Sequence, residues 1–302
     1  MLNSDDLRFF CRMAQNETLA ATARVLGVST SSVSQRLHNI EEKLALKLLS
    51  RNGRSLVLTD EGREFLERAQ AIISEIDELE SSLSARKSGV FGHLKVLAPL
   101  GFGQQFIAPL VAKFQSHHSN LSVDLELTDN PHRSKQNWDI LIHIGELRDT
   151  SLIKVALAAN DRFLCASPRY LARFGEPKLI DQLMQHHCLV LRENDEDVSL
   201  WKFRTVNQKT WQSIRVHSSL TSNDGRVIKQ WAIDGYGIIQ RSEWDLVNEL
   251  QNGTLQRVLS NYLLPSADVV ALLPSRASKR STRTKLFLKA LQEHFSPIPW
   301  RR

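Results

Sequence analysis

A long stretch of helical periodicity that begins at Thr59 constrains this chain more than any other feature of its sequence. Thr59 can cap the helix, Asp60 and Glu61 suit its positive end, and Gly89 can stop it. Apolar residues recur along it at alternating spacings of four and three, at Phe65, Ala69, Ile72, Ile76, Leu79 and Leu83. Such a narrow stripe fits a seam between two helices, so we predict that it pairs two copies of the chain. The alternative is packing on the chain's own body.

Upstream lie three shorter helical segments. The first spans residues 4–15. Thr18 can cap a second that runs from Leu19 to Leu26 with Gly27 as its stop, and Ser29 can cap a third that reaches about Leu44. The third helix has a narrow apolar stripe, and its opposite face carries small and hydrogen-bonding side chains. A short helix, a glycine turn and a helix with such a face are typical of a helix-turn-helix that reads base edges. The alternative is a generic three-helix packing unit.

A basic hairpin follows the third helix. Asn52-Gly53 is a strong turn signal between Arg51 and Arg54, and the apolar run after it predicts a short strand. The hairpin is interpreted as a wing over the phosphate backbone, or else as an exposed basic turn. Together the helix and the wing give the predicted DNA-binding residues Ser29, Thr30, Ser31, Ser34, Gln35, Arg36, His38, Arg51 and Arg54. Hydroxyl, amide and imidazole groups would read bases, and the three arginines would contact phosphate.

Charge alone is a weak argument for nucleic-acid binding in this chain. The formal net charge is +6, but residues 1–58 hold only eight Lys/Arg against five Asp/Glu. The most basic segment is 275–302, with eight Lys/Arg and one Asp/Glu, which we interpret as a solvated helix face. The prediction of DNA binding therefore depends on the geometry of the third helix.

Residues 1–88 resemble the winged helix-turn-helix and linker of the LysR-type transcriptional regulators. The resemblance rests on Leu7-x-x-Phe10, Val28-Ser29, Val33-Ser34, Ile40-Glu41 and Leu58-Thr59-x-x-Gly62. Thr30 and Gln35 stand where this family more often has glutamine and arginine, which leaves the base contacts open. Ala45 and Leu49 replace a usual glycine and phenylalanine, and we expect this pair only to adjust packing.

The remaining two hundred residues alternate strands with helices, which predicts a parallel α/β sheet. Residues 99–103 are predicted to form a turn, with a helix starting near Gly103. A second α/β unit is expected at about 162–264, and a strand at Val269–Leu273 is expected to return to the first unit.

Motifs in this region are similar to those of the effector domain of the same family. They include Ala98-Pro99-x-x-Phe102-Gly103, Ala166-Ser167-Pro168 and Asn223-Asp224-Gly225. The resemblance implies an α/β fold with an N-terminal winged helix-turn-helix, a linker helix and a two-lobed effector domain like that of periplasmic solute-binding proteins. The expected domains are 1–58 for DNA binding, 59–88 for dimerisation and 89–302 for effector binding.

A small ligand in such a fold is expected at the crevice between the lobes, where strands end and helices begin. The predicted effector-binding residues are Leu100, Gly101, Phe102, Gly103, Gln104, Thr128, His143, Gly145, Ser222 and Asn223. Backbone N–H groups of the helix near Gly103 would favour a carboxylate, so a small organic acid is the predicted ligand. Alternatively, these glycines and polar residues merely form turns.

Signs of catalysis are missing from the sequence. Phe106 stands where a dinucleotide fingerprint needs glycine, and the P-loop, nucleophile-elbow and zinc-protease motifs do not occur. His117-His118 and His186-His187-Cys188 lack further ligands at suitable spacing, so we predict no catalytic residue, no metal and no cofactor. Three scattered cysteines and an acidic start at Asp5 and Asp6 fit a reducing cytoplasm.

The sequence therefore predicts a cytoplasmic, homo-oligomeric transcription regulator, a dimer or tetramer, rather than an enzyme or a membrane protein. Its expected partners are double-stranded promoter DNA and a small-molecule effector. Two alternatives remain at this stage. One is a solute-binding protein with an incidental N-terminal extension, and the other is an α/β enzyme that turns over a bound acid.

Overall fold

The computed structural model describes residues 1–16, 18–52, 55–84, 90–130, 138–147, 151–192, 198–218, 220–274 and 281–302. The chain forms two compact units, Met1–Gly89 and Val90–Arg302. Within the described ranges, no helix combines the length and apolar character needed to cross a membrane.

The described residues of the first unit form four helices and a two-stranded hairpin. In chain order they are α1 Ser4–Met13, α2 Leu19–Leu26, α3 Thr30–Leu44, β1 Leu49–Asn52, β2 Ser55–Leu58 and α4 Asp60–Ser84. The caps expected from the sequence are present. The Thr18 hydroxyl accepts from the Ala21 N–H at 3.1 Å, and the Ser29 hydroxyl accepts from the Ser32 N–H at 3.1 Å. Gly27 ends α2 at a φ of 65°, in the left-handed region that favours glycine.

The core of this unit lies between α1, α3 and the start of α4. Phe10, Val33 and Ile40 are fully buried, and Phe65 packs edge-on against Phe10 with ring centroids 5.0 Å apart. Val33 and Ile40 are seven residues apart, so they lie on one face of α3. Their burial fixes which face of α3 is left to solvent.

Ala45 has a different role from the one expected. It ends α3 at a φ of 54°, and its N–H bonds to carbonyls of the last helical turn. Left-handed backbone is costly for a residue with a Cβ, so the replacement of glycine here affects the backbone and not packing alone.

Gly62 allows α4 to approach the loop before β1. The Thr59 hydroxyl accepts from the Gly62 N–H at 2.9 Å and donates to the Lys47 carbonyl at 2.7 Å, which ties the helix start to that loop. A Cβ at Gly62 would lie 1.9 Å from the Leu48 carbonyl oxygen. The pairing of threonine and glycine in Leu58-Thr59-x-x-Gly62 thus has a steric cause.

In the part of the second unit that the structure describes, the strands form three sheets. Its elements are β3 Gly92–Pro99, α5 Leu100–Phe102, a π-helical turn Gly103–Ile107, α6 Ala108–Ser116, β4 Leu121–Thr128, β5 Ile140–Ile144, β6 Ile153–Ala158, β7 Arg162–Ala166, α7 Pro168–Phe174, a 3₁₀ helix Ile180–Gln185, β8 Cys188–Leu191, β9 Leu200–Thr205, β10 Gln212–Arg215, β11 Leu220–Ser222, α8 Gly225–Ile233, β12 Ile238–Ser242, α9 Glu243–Gln251, β13 Gln256–Val258, β14 Tyr262–Leu263, β15 Val269–Leu273, α10 Thr282–His294 and a 3₁₀ turn Pro299–Arg301.

The first lobe has the strand order β4-β3-β5-β15-β6, and the second lobe has β11-β8-β12-β7-β13. Strands β3, β4 and β5 are parallel, as are β8, β11 and β12, but β15 and β6 in the first lobe and β7 and β13 in the second run antiparallel to their neighbours. The sheets are therefore mixed, which corrects the expectation of a parallel sheet. Strand β15 does return to the first lobe, as the sequence predicts.

Two further details depart from the sequence prediction. Residues 99–103 do not form a turn, because α5 begins at Leu100 and the helical path continues to Ser116. Ile214 and Arg215 belong to a separate antiparallel sheet with the order β10-β9-β14, which the sequence analysis did not predict.

Asn160 joins the two segments that cross between the lobes. Its side chain is fully buried, donates to the Ala267 carbonyl at 2.8 Å and accepts from the Trp244 N–H at 3.3 Å. A buried amide satisfied on both sides fixes the crossing segments against the start of α9.

We expect Gly62→Ala to destabilise the first unit by about 1–3 kcal/mol, because the new methyl group would overlap the Leu48 backbone. All six tryptophans lie in the second unit, so the measurement is hydrogen exchange by mass spectrometry. Amides of α1 and α3 should exchange faster, while Glu61→Ala at the exposed neighbouring position should leave them unchanged. Equal protection in both variants would contradict the steric role of Gly62.

Candidate nucleic-acid interface and ligand cleft

The polar face of α3 is open to solvent. The predicted base-reading and phosphate-binding residues that are exposed on it are Ser29, Thr30, Ser31, Ser34, Gln35, Arg36 and His38. Ser31, Ser34, Gln35 and His38 lie away from Val33 and Ile40, which face the core. Arg36 lies at the edge of the core-facing side, and Ser29 and Thr30 lie at the start of the helix. The arrangement presents hydroxyl and amide groups on the surface of a helix that can enter a major groove.

Short hydrogen bonds order several of these side chains. The Ser29 hydroxyl lies 2.8 Å from the Ser31 hydroxyl, and the Gln35 side-chain amide donates to the Asn39 carbonyl oxygen at 3.1 Å. His38 lies 3.3 Å from the Glu42 carboxylate. Asn39 was not among the predicted site residues, although its position four residues after Gln35 placed it on the same face.

Arg36 is engaged within its own unit. Its guanidinium donates to the Asp5 carbonyl at 3.0 Å and lies 4.7 Å from the centre of the Phe9 ring. These contacts attach α3 to α1, so the predicted phosphate contact would compete with an intramolecular one. The Arg51 side chain and the whole of Arg54 lie outside the described residues.

A second cation also joins α3 to α1. The Lys43 ammonium lies 2.8 Å from the Asp6 carboxylate, which also accepts from the Asn3 N–H at the start of α1. Burial of this carboxyl acts to raise its pKa, but the hydrogen bonds from Lys43 and the Asn3 N–H, with the charges of Lys43 and Arg36, together outweigh burial, and the pKa of Asp6 is lowered from its usual value. The carboxylate therefore stays charged, and the ion pair helps to orient α3.

The apolar stripe of α4 divides into two parts. Phe65 is partly buried and packs against the core of the first unit, and Ala69 is buried, so neither side chain is left open for the predicted seam between chains. Ile72 and Leu79 are 46% and 60% exposed, and Ile76 is half-buried. The side chain of Leu83 lies outside the described part of the helix. The stripe available to a second chain thus begins at Ile72.

A cavity of about 160 Å³ lies between the lobes of the second unit. The carboxyl ends of β3, β4 and β5 reach it from one side, and β8, β12 and the residues after β11 reach it from the other. Topology alone places a ligand crevice at this edge. Six of the predicted effector-binding residues line it, namely Leu100, Gly101, Phe102, Thr128, His143 and Asn223.

The other four predicted residues do not line the cavity. Gly103 packs against the sheet, where a Cβ would lie 2.4 Å from a methyl group of Leu127. Gly145 forms a turn at a φ of 106°, and the Ser222 hydroxyl accepts from the Asp224 N–H. Gln104 accepts a hydrogen bond from Arg226 across the lobes. For Gly145 and Ser222 the structure favours the alternative that such residues form turns.

Several residues that line the cavity were missed by the sequence analysis. They are contributed mainly by β7, β9, β12 and the start of α9, and include Arg162, Trp201, Gln240, Arg241 and Trp244. Arg241 is buried and bonds to the Asp245 carboxylate at 2.7 Å, while Lys229 lies 3.0 Å from the same carboxylate. Nothing local in the sequence marks these positions, because the pairing of β7 with β12 brings them together.

Hydrogen bonds also cross the cleft. The Asn223 side chain donates to the Asp129 carboxylate at 2.7 Å, next to the bond between Arg226 and Gln104. Asp129 follows β4 in the first lobe, and Asn223 follows β11 in the second. These contacts connect the lobes at positions adjoining the cavity.

The described residues offer no metal centre, and two of the cysteines are buried. No group of three or more histidine, cysteine or acidic residues within them could hold a metal ion. Burial raises the pKa of the Cys165 and Cys188 thiols to about 12, so both stay protonated at neutral pH.

Comparison with known families finds two matching family models. The model for the bacterial regulatory helix-turn-helix protein of the lysR family matches residues 4–63, and the model for the LysR substrate binding domain matches residues 87–296. The transcriptional regulator DmlR of Escherichia coli is 33% identical over 293 residues, which cover 97% of this chain and 94% of that protein. The transcriptional activator TtdR of Escherichia coli is 33% identical over 267 residues, covering 87% and 86% of the two chains.

Solved structures of full-length regulators share the fold. The virulence activator AphB of Vibrio cholerae aligns with a TM-score of 0.60 at 21% identity, covering 96% of this chain and 98% of that one. CrgA of Neisseria meningitidis aligns with a TM-score of 0.57 at 25% identity, covering 97% and 99%. With both family models matched and a relative 33% identical along nearly its whole length, this chain belongs to the LysR family of transcriptional regulators.

Proposed function

We propose that this regulator binds promoter DNA as a homo-oligomer through α3 and adjusts that binding in response to a small organic acid held between its effector lobes. The observation that carries the proposal is the exposed face of α3, where hydroxyl and amide groups lie opposite a fully buried apolar stripe. A solvated helix face normally carries more lysine and glutamate. Base edges in a major groove present donors and acceptors that these groups complement.

Dimerisation through α4 is the second part of the proposal. Ile72 and Leu79 are seven residues apart and largely exposed, so they form an uncovered apolar strip along one face of the helix. Burying such a strip against its copy removes apolar surface from water. A dimer would also place two α3 helices on one DNA duplex, with half-sites separated by whole helical turns. Tetramers would need a further interface.

A carboxylate is the ligand class that best fits the cleft. Arg162 and Arg241 line it, and guanidinium groups match carboxylate geometry. The helical path that begins at Leu100 has no side-chain cap at its start, so its first N–H groups are available to an anion. Asp129 lies on the same cavity and would repel anions, so a bound carboxylate is expected on the side of the cavity that carries the arginines. Suppose that the two lobes can adopt two relative orientations that differ in DNA affinity. A ligand that binds one orientation more tightly than the other would then change DNA affinity.

DNA binding is tested by a mobility-shift assay on the DNA upstream of the protein's own gene, at two salt concentrations. We expect a complex that weakens as salt rises. Ser34→Glu should weaken the affinity for the fragment at least tenfold, because a carboxylate on the exposed side of α3 would be repelled by the phosphates of the duplex. Ser213→Glu, on an exposed strand of the second unit, is the matched control. Wild-type protein that retards no promoter fragment at low salt would exclude this function, as would equal binding by the two variants.

The dimer is tested by sedimentation velocity. Ile72→Asp with Leu79→Asp should shift the protein towards monomer, because two charges in the seam would lose their hydration. Glu67→Gln, at an exposed position on the opposite side of α4, should sediment as wild type. A double variant with an unchanged sedimentation coefficient would show that the oligomer forms elsewhere.

The ligand class is tested by thermal shift with aliphatic mono-, di- and tricarboxylates and with their methyl esters as neutral counterparts. We expect at least one acid, and none of the esters, to raise the melting temperature. Arg162→Gln should remove that rise, whereas Arg215→Gln, at an exposed arginine away from the cavity, should preserve it. Equal shifts with acids and esters, or no shift with any acid, would contradict a carboxylate effector.

A further inference from the structure

Two amide side chains form a pair on the exposed face of α3. Gln35 and Asn39 are four residues apart, and the Gln35 Nε2 donates to the Asn39 Oδ1 at 3.1 Å. Both side chains are exposed, and neither belongs to the core. Their neighbour Arg36 is directed to Asp5 and Phe9 on α1. The two amides therefore hold each other in place and still have donors and acceptors available for DNA.

The direction of this hydrogen bond determines what Gln35 can offer to DNA. A glutamine amide has two N–H donors and one carbonyl acceptor. Because Asn39 accepts one N–H, Gln35 retains one donor and its acceptor. Adenine presents an acceptor at N7 and a donor at N6 in the major groove, whereas guanine presents two acceptors. With the reverse bond, from Asn39 to the Gln35 oxygen, Gln35 would retain both donors and one lone pair of an oxygen already shared with Asn39, so guanine, which presents only acceptors, would be accepted as well.

We propose that Gln35 reads an adenine in each half-site and that Asn39 is the positioning residue that holds its amide in the adenine-reading orientation. This inference rests on the proposed DNA-binding function. Gln35 has several rotatable bonds, so fixing its amide before DNA binds reduces the conformational freedom lost on binding. Asn39 thus acts on base choice through Gln35, without needing a base contact of its own.

The experiment is selection of bound duplexes from a randomised DNA library by the full-length protein, followed by sequencing. Wild type should enrich a two-fold symmetric motif in which one position per half-site is adenine. At that position guanine should be selected roughly tenfold less often than adenine. Gln35→Arg should change that adenine to guanine, since arginine offers only donors. Asn39→Ala should relax the preference at this position while the others stay unchanged.

Two further variants separate positioning from a structural role. Asn39→Asp keeps an acceptor for Gln35 and should retain the adenine preference, with lower overall affinity because of its charge. Asn16→Ala removes a half-buried amide outside α3, which bonds to the Arg12 carbonyl, and should select the wild-type motif. Circular dichroism should be the same for all variants.

The outcomes distinguish the inference from the function on which it rests. If wild type enriches no sequence, both fail. If wild type enriches a motif that Gln35→Arg leaves unchanged, or one without the expected adenine, the regulator binds DNA but Gln35 does not read it in this way. If Gln35→Arg changes one position but Asn39→Ala selects as sharply as wild type, the positioning role of Asn39 is wrong.

Discussion

The burial of one face of α3 is the constraint on which the rest of the first unit depends. Val33 and Ile40 are fully buried against a core that includes Phe10, and Phe65 brings the start of α4 into the same core. Because one face of α3 is packed against the core, the opposite face is held towards solvent. That face needs no apolar residues. The same packing uses the first turns of α4, which leaves the apolar stripe uncovered only from Ile72 onward.

A corresponding constraint organises the effector unit. The parallel strands of each lobe end at one edge, and the crossing segments fixed by Asn160 connect the two sheets. The cavity at this edge is consequently lined by residues far apart in sequence, such as Thr128 and Arg241. Bonds such as that of Asn223 with Asp129 supply contacts that a change in lobe angle would break or remake. Such discrete contacts can make two lobe arrangements distinct.

Features determined by local chemistry were predictable from the sequence. Caps at Thr18, Ser29 and Thr59 depend on a few adjacent residues, so the helix starts could be predicted, and family motifs indicated the two-lobed fold. Strand direction was not predictable from alternation, because apolar periodicity is the same in parallel and antiparallel strands. Arg162 and Gln240 could not be placed at the cleft because they reach it through sheet topology. The role of Ala45 was missed because its φ depends on how α3 ends.

Base contacts rather than net charge are the better explanation for how this unit could be selective. Arg36 is bonded to α1, and Lys43 and Lys47 are paired with Asp6 and Glu41. Cations already engaged within the unit gain less by binding phosphate, so the sequence-independent part of DNA affinity is reduced. A first unit with weak non-specific affinity for DNA depends more on its base contacts. It also depends on the first units of both chains in the proposed dimer binding together. Under those conditions an effector needs to supply only a coupling of about 1–3 kcal/mol to change promoter occupancy several-fold or more.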